Sequence, residues 1–310
     1  MANIGVLKLV ALDPSLQITP VAACDSFEAR ALKGVLSAKT TLSYETVTFL
    51  IPADGDAPQT YFINIPSQCI DSYKLQLLNN ILDYKRMNCE NILNAVRRDR
   101  FSSTEMTQID LPDLLLCTLS GRIDGIELIV TLNGTTTTEH PTLFVNYGYF
   151  GRSKRNELLS RDVIVRPMEH HHMLKYTLAN NEDAEHMITL PFTDMVKGLL
   201  VHSNYELATL SLIYYELATV GMIYNSFESV RDANYYLSVT PYLNNLNVCE
   251  KMYYIPVGAN MERLDDVKLV VKCKHKTEDA LKLDIIAITT NALVYSEGVV
   301  SLWKIPDFLK

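Results

Sequence analysis

Residues 254–272 read YIPVGANMERLDDVKLVVK, and after a charged link residues 283–303 read LDIIAITTNALVYSEGVVSLW. Within them, 267–272 (VKLVVK) and 283–289 (LDIIAIT) are rich in β-branched residues, which pack well on a half-buried pleated surface. Residues 274–279 (KHKTED) form the charged, solvated turn between them. Gly258, Asn260 and Gly298 punctuate the run where a strand begins or stops. The stretch predicts the closing strands of a β-sandwich.

Working outward, strand-like pieces recur with turn chemistry between them. Residues 4–12 are apolar except for Lys8 and are broken by Asp13 and Pro14. Residues 42–51 (LSYETVTFLI) and 60–65 (TYFINI) flank a Pro/Gly tip at 52–55, a hairpin pattern. Further pieces lie at 109–119, 125–132, 142–150, 163–167, 187–191 and 196–202. Two regions differ. In 72–98, Leu75, Leu78, Ile81, Leu82, Ile92, Leu93 and Val96 recur at three- and four-residue spacing, which predicts two short helices interrupted near Asn88. Residues 153–160 suit another short helix. Residues 207–223 (LATLSLIYYELATVGMI) read either as a buried strand pair or as an apolar helix, with the Thr, Ile, Val and Tyr content favouring strands. The total is about sixteen short strands in two groups, a pattern of sandwiches rather than of a parallel sheet.

Composition narrows the function classes. The 310 residues are 48% hydrophobic and 21% charged, so a packed core is expected. A net charge of −8 argues against coating nucleic acid, which needs clustered Lys and Arg. The short basic patches at 97–100 and 152–155 are ordinary surface. Six cysteines show no zinc or CxxC spacing. No secretory leader pattern opens the sequence and no apolar run is long enough to span a bilayer, so a reducing interior with free thiols is expected. The Asn133 sequon accordingly reads as a turn.

Candidate chemistry is sparse. Residues 168–173 (MEHHHM) suggest a metal site, and on a strand His170 and His172 share a face while Glu169 points away. Zinc would need further ligands, with His186 or Asp183 as candidates. The competing reading is a polar loop or exposed strand. The pattern GxSxG is absent, as are the P-loop and GxGxxG. Asp265 and Asp266 are adjacent, so on a strand they face opposite sides and cannot act as an acid/base pair. These residues carry no enzyme signal, and no cofactor is expected.

Several segments, in order, resemble the major capsid proteins of nucleocytoplasmic large DNA viruses. Residues 70–71 (ID) with Tyr73 resemble the end of that family's first jelly roll. Residues 109–112 (IDLP) and 125–132 (GIELIVTL) resemble the opening strands of its second. Residues 145–147 (VNY) with Arg155 resemble a strand ending in an Asp-Tyr pair before an Arg-bearing helix, with Asn146 replacing the acid. Residues 190–192 (LPF) with Val196 and Lys197 resemble a Phe and Pro-Val-Lys segment, though Met195 stands where Pro is usual. Residues 225–231 (NSFESVR), 234–236 (NYY) and 241–242 (PY) resemble the approach to the final strands. Gly258, Asn260, Arg263 and Asp265 resemble a Gly-x-x-Asn-x-x-Arg-x-Asp signature.

The resemblance implies an all-β double jelly roll, with a reduced first roll over residues 1–107 and a second over 108–310. It implies a capsid structural protein, with three chains forming a pseudo-hexagonal capsomer of an icosahedral shell. Expected partners are identical chains, neighbouring capsomers, minor capsid proteins and an internal viral membrane, with no sequence-specific nucleic acid. Expected locations are the virion and the host cytoplasm during assembly. Gly258, Asn260, Arg263 and Asp265 are expected to shape the fold. A minor capsid, penton or scaffold role belongs to the same reading. Two others stand beside it: a β-sandwich carbohydrate- or receptor-binding module, and a metal-dependent jelly-roll enzyme using His170 and His172.

Overall fold

The structure, a computed structural model, describes residues 26–37, 46–51, 57–77, 80–96, 103–111, 125–133, 141–149, 151–160, 163–179, 185–217, 224–244, 246, 251–261, 264–275, 279–296 and 299–303. The strands of the first roll are β1 (Ser26–Lys33), β2 (Val35–Ser37), β3 (Thr46–Ile51), β4 (Ala57–Ile63), β5 (Ile70–Leu77), β6 (Asn80–Arg86), β7 (Thr107–Ile109), β8 (Ile126–Leu132) and β9 (Thr142–Tyr149). They form two antiparallel sheets, β1-β9-β4-β7 and β2-β3-β8-β5-β6. Helix α1 (Met87–Val96) leaves the second sheet directly after β6.

Helix α2 (Arg152–Leu159) leads into the second roll. Its strands are β10 (Val163–Leu178), β11 (His186–Thr189), β12 (Met195–Ser203), β13 (Leu207–Leu217), β14 (Tyr224–Asp232), β15 (Met252–Asn260), β16 (Leu264–Cys273), β17 (Leu281–Ser296) and β18 (Val299–Trp303). They form β10-β17-β12-β15, with β18 also on β17, and β11-β16-β13-β14. A turn of π-helix (Tyr235–Val239) and a short helix (Thr240–Leu243) connect β14 to β15.

The closing strands stand where the sequence puts them, as do the strand reading of 207–217 and the helix at 152–159. Four expectations need correction. Residues 70–86 are a strand hairpin, and only 87–96 is helical. Tyr73, Leu75 and Leu77 are buried in alternation on β5, and a bulge at Leu82, opposite the step from Leu75 to Gln76, disturbs the count on β6. That bulge and the reversal of direction between β5 and β6 reset a period of two into an apparent period of three and four.

The hairpin expected over 42–65 is two strands in opposite sheets: β3 pairs with β2 and β8, whereas β4 pairs with β7 and β9. Likewise β16 and β17 lie in different sheets and do not pair as a hairpin, and residues 276–278 of the link between them lie outside the described residues. The boundary expected at 107/108 moves as well. Strands β7, β8 and β9 pair within the first roll's sheets, so the change-over falls between Tyr149 and Val163. Strand β8, which alternates buried and half-buried residues throughout, sits between β3 and β5 and completes that sheet. The apolar piece at 4–12 and most of 109–119 lie outside the described residues.

Each roll packs its two sheets face to face. Val47, Phe49, Ile63, Leu128, Val130, Leu143 and Val145 fill the first at 0% exposure. Leu199, Val201, Leu210, Leu269, Val271 and Ile285 do the same for the second.

The two cores are not independent, because β10 and β17 pair over sixteen residues each and span both. Along β17, Leu281, Leu283, Ile285 and Ala287 belong to the second core. Thr289, Thr290 and Asn291 follow as buried polar residues. Beyond them, Leu293 and Tyr295 join the first core, together with Ile164 and Met168 of β10 and Val300 of β18. The polar trio marks the place where the strand passes from one roll to the other. No helix among the described residues is long and apolar enough to cross a membrane.

Candidate functional site at the junction of the rolls

The polar side of the junction is built on β10. This strand is an edge of its sheet, which suits Pro167, a residue with no N–H to give to a neighbouring strand. Strand alternation sends Glu169, His171 and Met173 to one face and His170, His172 and Leu174 to the other. Helix α1 lies on the first of these faces. Cys89, Leu93 and Val96 of α1 pack with Leu200, Met252, Tyr254, Ile286 and Ile288 of the second roll. Burying a Leu or Val side chain this way stabilises by roughly 1.5–3 kcal/mol.

Two ionisable contacts cross the junction. His171 Nδ1 lies 2.6 Å from Glu90 Oε1 of α1, with side chains 2% and 3% exposed. His170 Nδ1 lies 3.3 Å from Asp83 Oδ1 of β6, with side chains 12% and 3% exposed. The second approach is an ion-pair contact without hydrogen-bond geometry: Asp83 Oδ1 and His170 Nε2 are buried atoms with no hydrogen-bond partner among the described residues. Lys85 Nζ stands 3.8 Å from the other Asp83 oxygen. At the rim, His172 Nε2 is 3.2 Å from Asp194, and Lys197 Nζ is 2.8 Å from Glu169. An open cleft of about 540 Å³ runs along this line, with Ile81, Tyr84, Arg86 and Phe192 among its walls.

Burial dominates the electrostatics. It pushes the Asp83 carboxyl up from 3.8 to about 6, against the pull of Lys85. It pushes His170 down from 6.5 to about 4, helped by His172 and Lys85. Glu90 is buried as well, which raises its value, but the His171 hydrogen bond and the charges of Lys85 and His171 outweigh that and hold it below 4.5. Tyr73, also buried and facing Glu90, Asp110 and Asp83, is raised well above its usual 10.0.

His170 and His172 share a face, as the strand pattern requires, but each meets a different carboxylate. Among the described residues no group of three or more His, Cys, Asp or Glu side chains is placed to hold a metal ion.

Three of the four signature residues, Gly258, Asn260 and Asp265, flank a crossover between the second roll's sheets. Gly258 lies inside β15, at a bulge opposite Lys197 of β12, with φ +63°. A Cβ there would meet nothing within 4 Å, so glycine is needed for the backbone angle and not for space. Asn260 ends β15 opposite Met195. Asp265 pairs with Tyr215 in the other sheet, and a bulge with φ +50° at Asp266 follows it. Arg263 lies outside the described residues. Sequence reasoning passed over Asp83, Glu90 and Met261. Met261, buried beside Asp194, donates its N–H to the Asp194 carbonyl at 3.1 Å and anchors the crossover in the core. Acidic residues flanked by Leu82, Tyr84 and Cys89 were the available signal.

No protein-family model matches the chain, and no curated protein does. Solved structures do. PBCV-1 VP54 aligns at TM-score 0.65 and 12% identity, over 93% of this chain and 99% of that one. The Faustovirus major capsid protein aligns at TM-score 0.54 and 9% identity, over 90% and 92% respectively. The mavirus major capsid protein aligns at TM-score 0.51 and 8% identity, over 96% and 94%. The fold shared across these alignments is the double jelly roll.

Proposed function

We propose that this chain is a viral capsid structural protein whose copies assemble as trimeric, pseudo-hexagonal capsomers of an icosahedral shell. The observation that carries the reading is the near end-to-end likeness, over both rolls, to proteins described as major capsid proteins. The junction supports it physically. Strands shared between two cores make the pair of rolls one stiff block, which is what a lattice-building unit needs. Function in this reading is self-association, with no catalytic step. Closed cyclic assembly would also cover sheet edges that otherwise invite uncontrolled pairing.

Partners are then two further copies of the chain, neighbouring capsomers, minor capsid proteins and an internal viral membrane. The sites of action are the virion and, during assembly, the host cytoplasm. Gly258, Asn260, Arg263 and Asp265 shape the crossover of the second roll and take no part in chemistry.

The test is the mass of the purified protein in solution, by light scattering behind size exclusion. Three chains are expected. Five chains would replace the capsomer by a penton. A monomer that persists at high concentration would overturn the reading in favour of a β-sandwich binding module.

A further inference from the structure

Asp83 is an expensive residue in its setting. Its carboxyl is carried by the edge strand of the first roll into the junction, 3% exposed, with Oδ1 lacking a hydrogen bond among the described residues. Across the junction His170, from the edge strand of the second roll, leaves Nε2 in the same condition. Each is a poor choice alone. An isolated buried carboxylate or imidazolium costs several kcal/mol, so each group prefers its neutral form.

The charges facing the pair come from every element around it. Lys85 stands beside Asp83 on β6, Glu90 on α1, and Asp110 just beyond β7. From the second roll come His171 and His172 on β10 and Asp194 ahead of β12.

We infer that Asp83 and His170 form a proton-compensating pair, which keeps the junction equally stable from neutral to mildly acidic solution. The argument follows from proton linkage. The Asp83 carboxyl binds its proton near pH 6 in the folded chain and near 3.8 when unfolded, so its contribution grows as pH falls through this window. His170 binds its proton near 6.5 when unfolded and near 4 when folded, so its contribution shrinks over almost the same window. One proton enters the folded chain on Asp83 while one enters the unfolded chain on His170, and the two slopes cancel. The carboxyl takes the first proton because a neutral acid beside a neutral imidazole leaves the buried pair itself without charge. Removing either partner unmasks the other.

The experiment is urea unfolding of the full chain between pH 7 and 4, for the parent, D83N, H170Q and the double variant. In D83N the unfolding constant should rise by about tenfold per pH unit of acidification between 6.5 and 4, relative to the double variant. In H170Q it should fall by a similar factor between 6 and 4. The parent and the double variant should run parallel. Single variants whose pH slopes match the parent's would overturn the inference. Should a variant fail to fold, the exchange of the His170 C2 hydrogen in the parent, followed by mass spectrometry, decides the matter. A ring half-protonated well below pH 6 supports the pair, and ordinary titration near 6.5 overturns it.

Discussion

At one end of the β10–β17 strand pair, Ile164, Met168, Leu293 and Tyr295 sit in the first roll's core. A few residues further along β10, His170 and His171 meet Asp83 and Glu90 of the first roll. The same two rolls are thus joined by two kinds of contact on a single ribbon. The apolar end is non-directional and indifferent to pH, and its strength follows the area removed from water. The ionisable stretch adds little net energy, because desolvation offsets attraction, but it tolerates only one register. Strength at one end is combined with alignment at the other.

The sharpest way to break this comparison is at the apolar end. Leu293→Ala should cost about 2–5 kcal/mol, since Leu293 is fully enclosed and its neighbours are held by two sheets. Urea unfolding should show both rolls losing stability in one transition. A loss below about 1 kcal/mol would deny this end its leading role.

Glu90→Gln should cost about 1–3 kcal/mol at neutral pH by leaving His171 without its carboxylate. Because Glu90 is held below 4.5 in the folded chain, its contribution is complete above 4.5 and is lost as pH falls through the lower folded value. The variant should lack that acid-end loss, which melts at pH 5 and pH 3.5 would reveal.

Gly258→Ala places a Cβ at φ +63° and should cost about 1–2 kcal/mol from the backbone angle alone, read as a shift in urea midpoint. The smallest effect belongs to the rim. Lys197→Met removes a partly exposed pair with Glu169 and should change stability by no more than about 1 kcal/mol, less still in 0.5 M salt. A large effect there would show that the rim of the second roll, and not only its core, sets its stability.

Much of the β architecture was legible because its signals are local. Residues 283–303 alternate or run apolar as buried strands do, and Gly258 marks a left-handed backbone position. The hairpin at 70–86 was not legible. Leu75 and Leu82 lie on two antiparallel strands, Leu82 at a bulge, and their spacing imitates a helix. Sheet membership was equally hidden, since the partners of β3 and β4 come from strands far along the chain. The junction was hidden for the same reason. Asp83 and Glu90 read as solvated polar positions until residues more than eighty positions later bury them. The His170 and His172 pattern gave the correct face, but nothing in the spacing revealed that each would meet its own acid.

The sharing of β17 between two cores also sets an order in time. Leu293, Tyr295 and Val300 help to fill the core of the roll that is made first. During synthesis, that roll must therefore wait with an open flank until β17 and β18 have emerged. Contacts of such sequence separation form slowly, and an unfilled apolar flank invites association with neighbouring nascent chains. Leu293, Tyr295 and Val300 thus act as a latch, closing the first roll only after the strands of the second have been made.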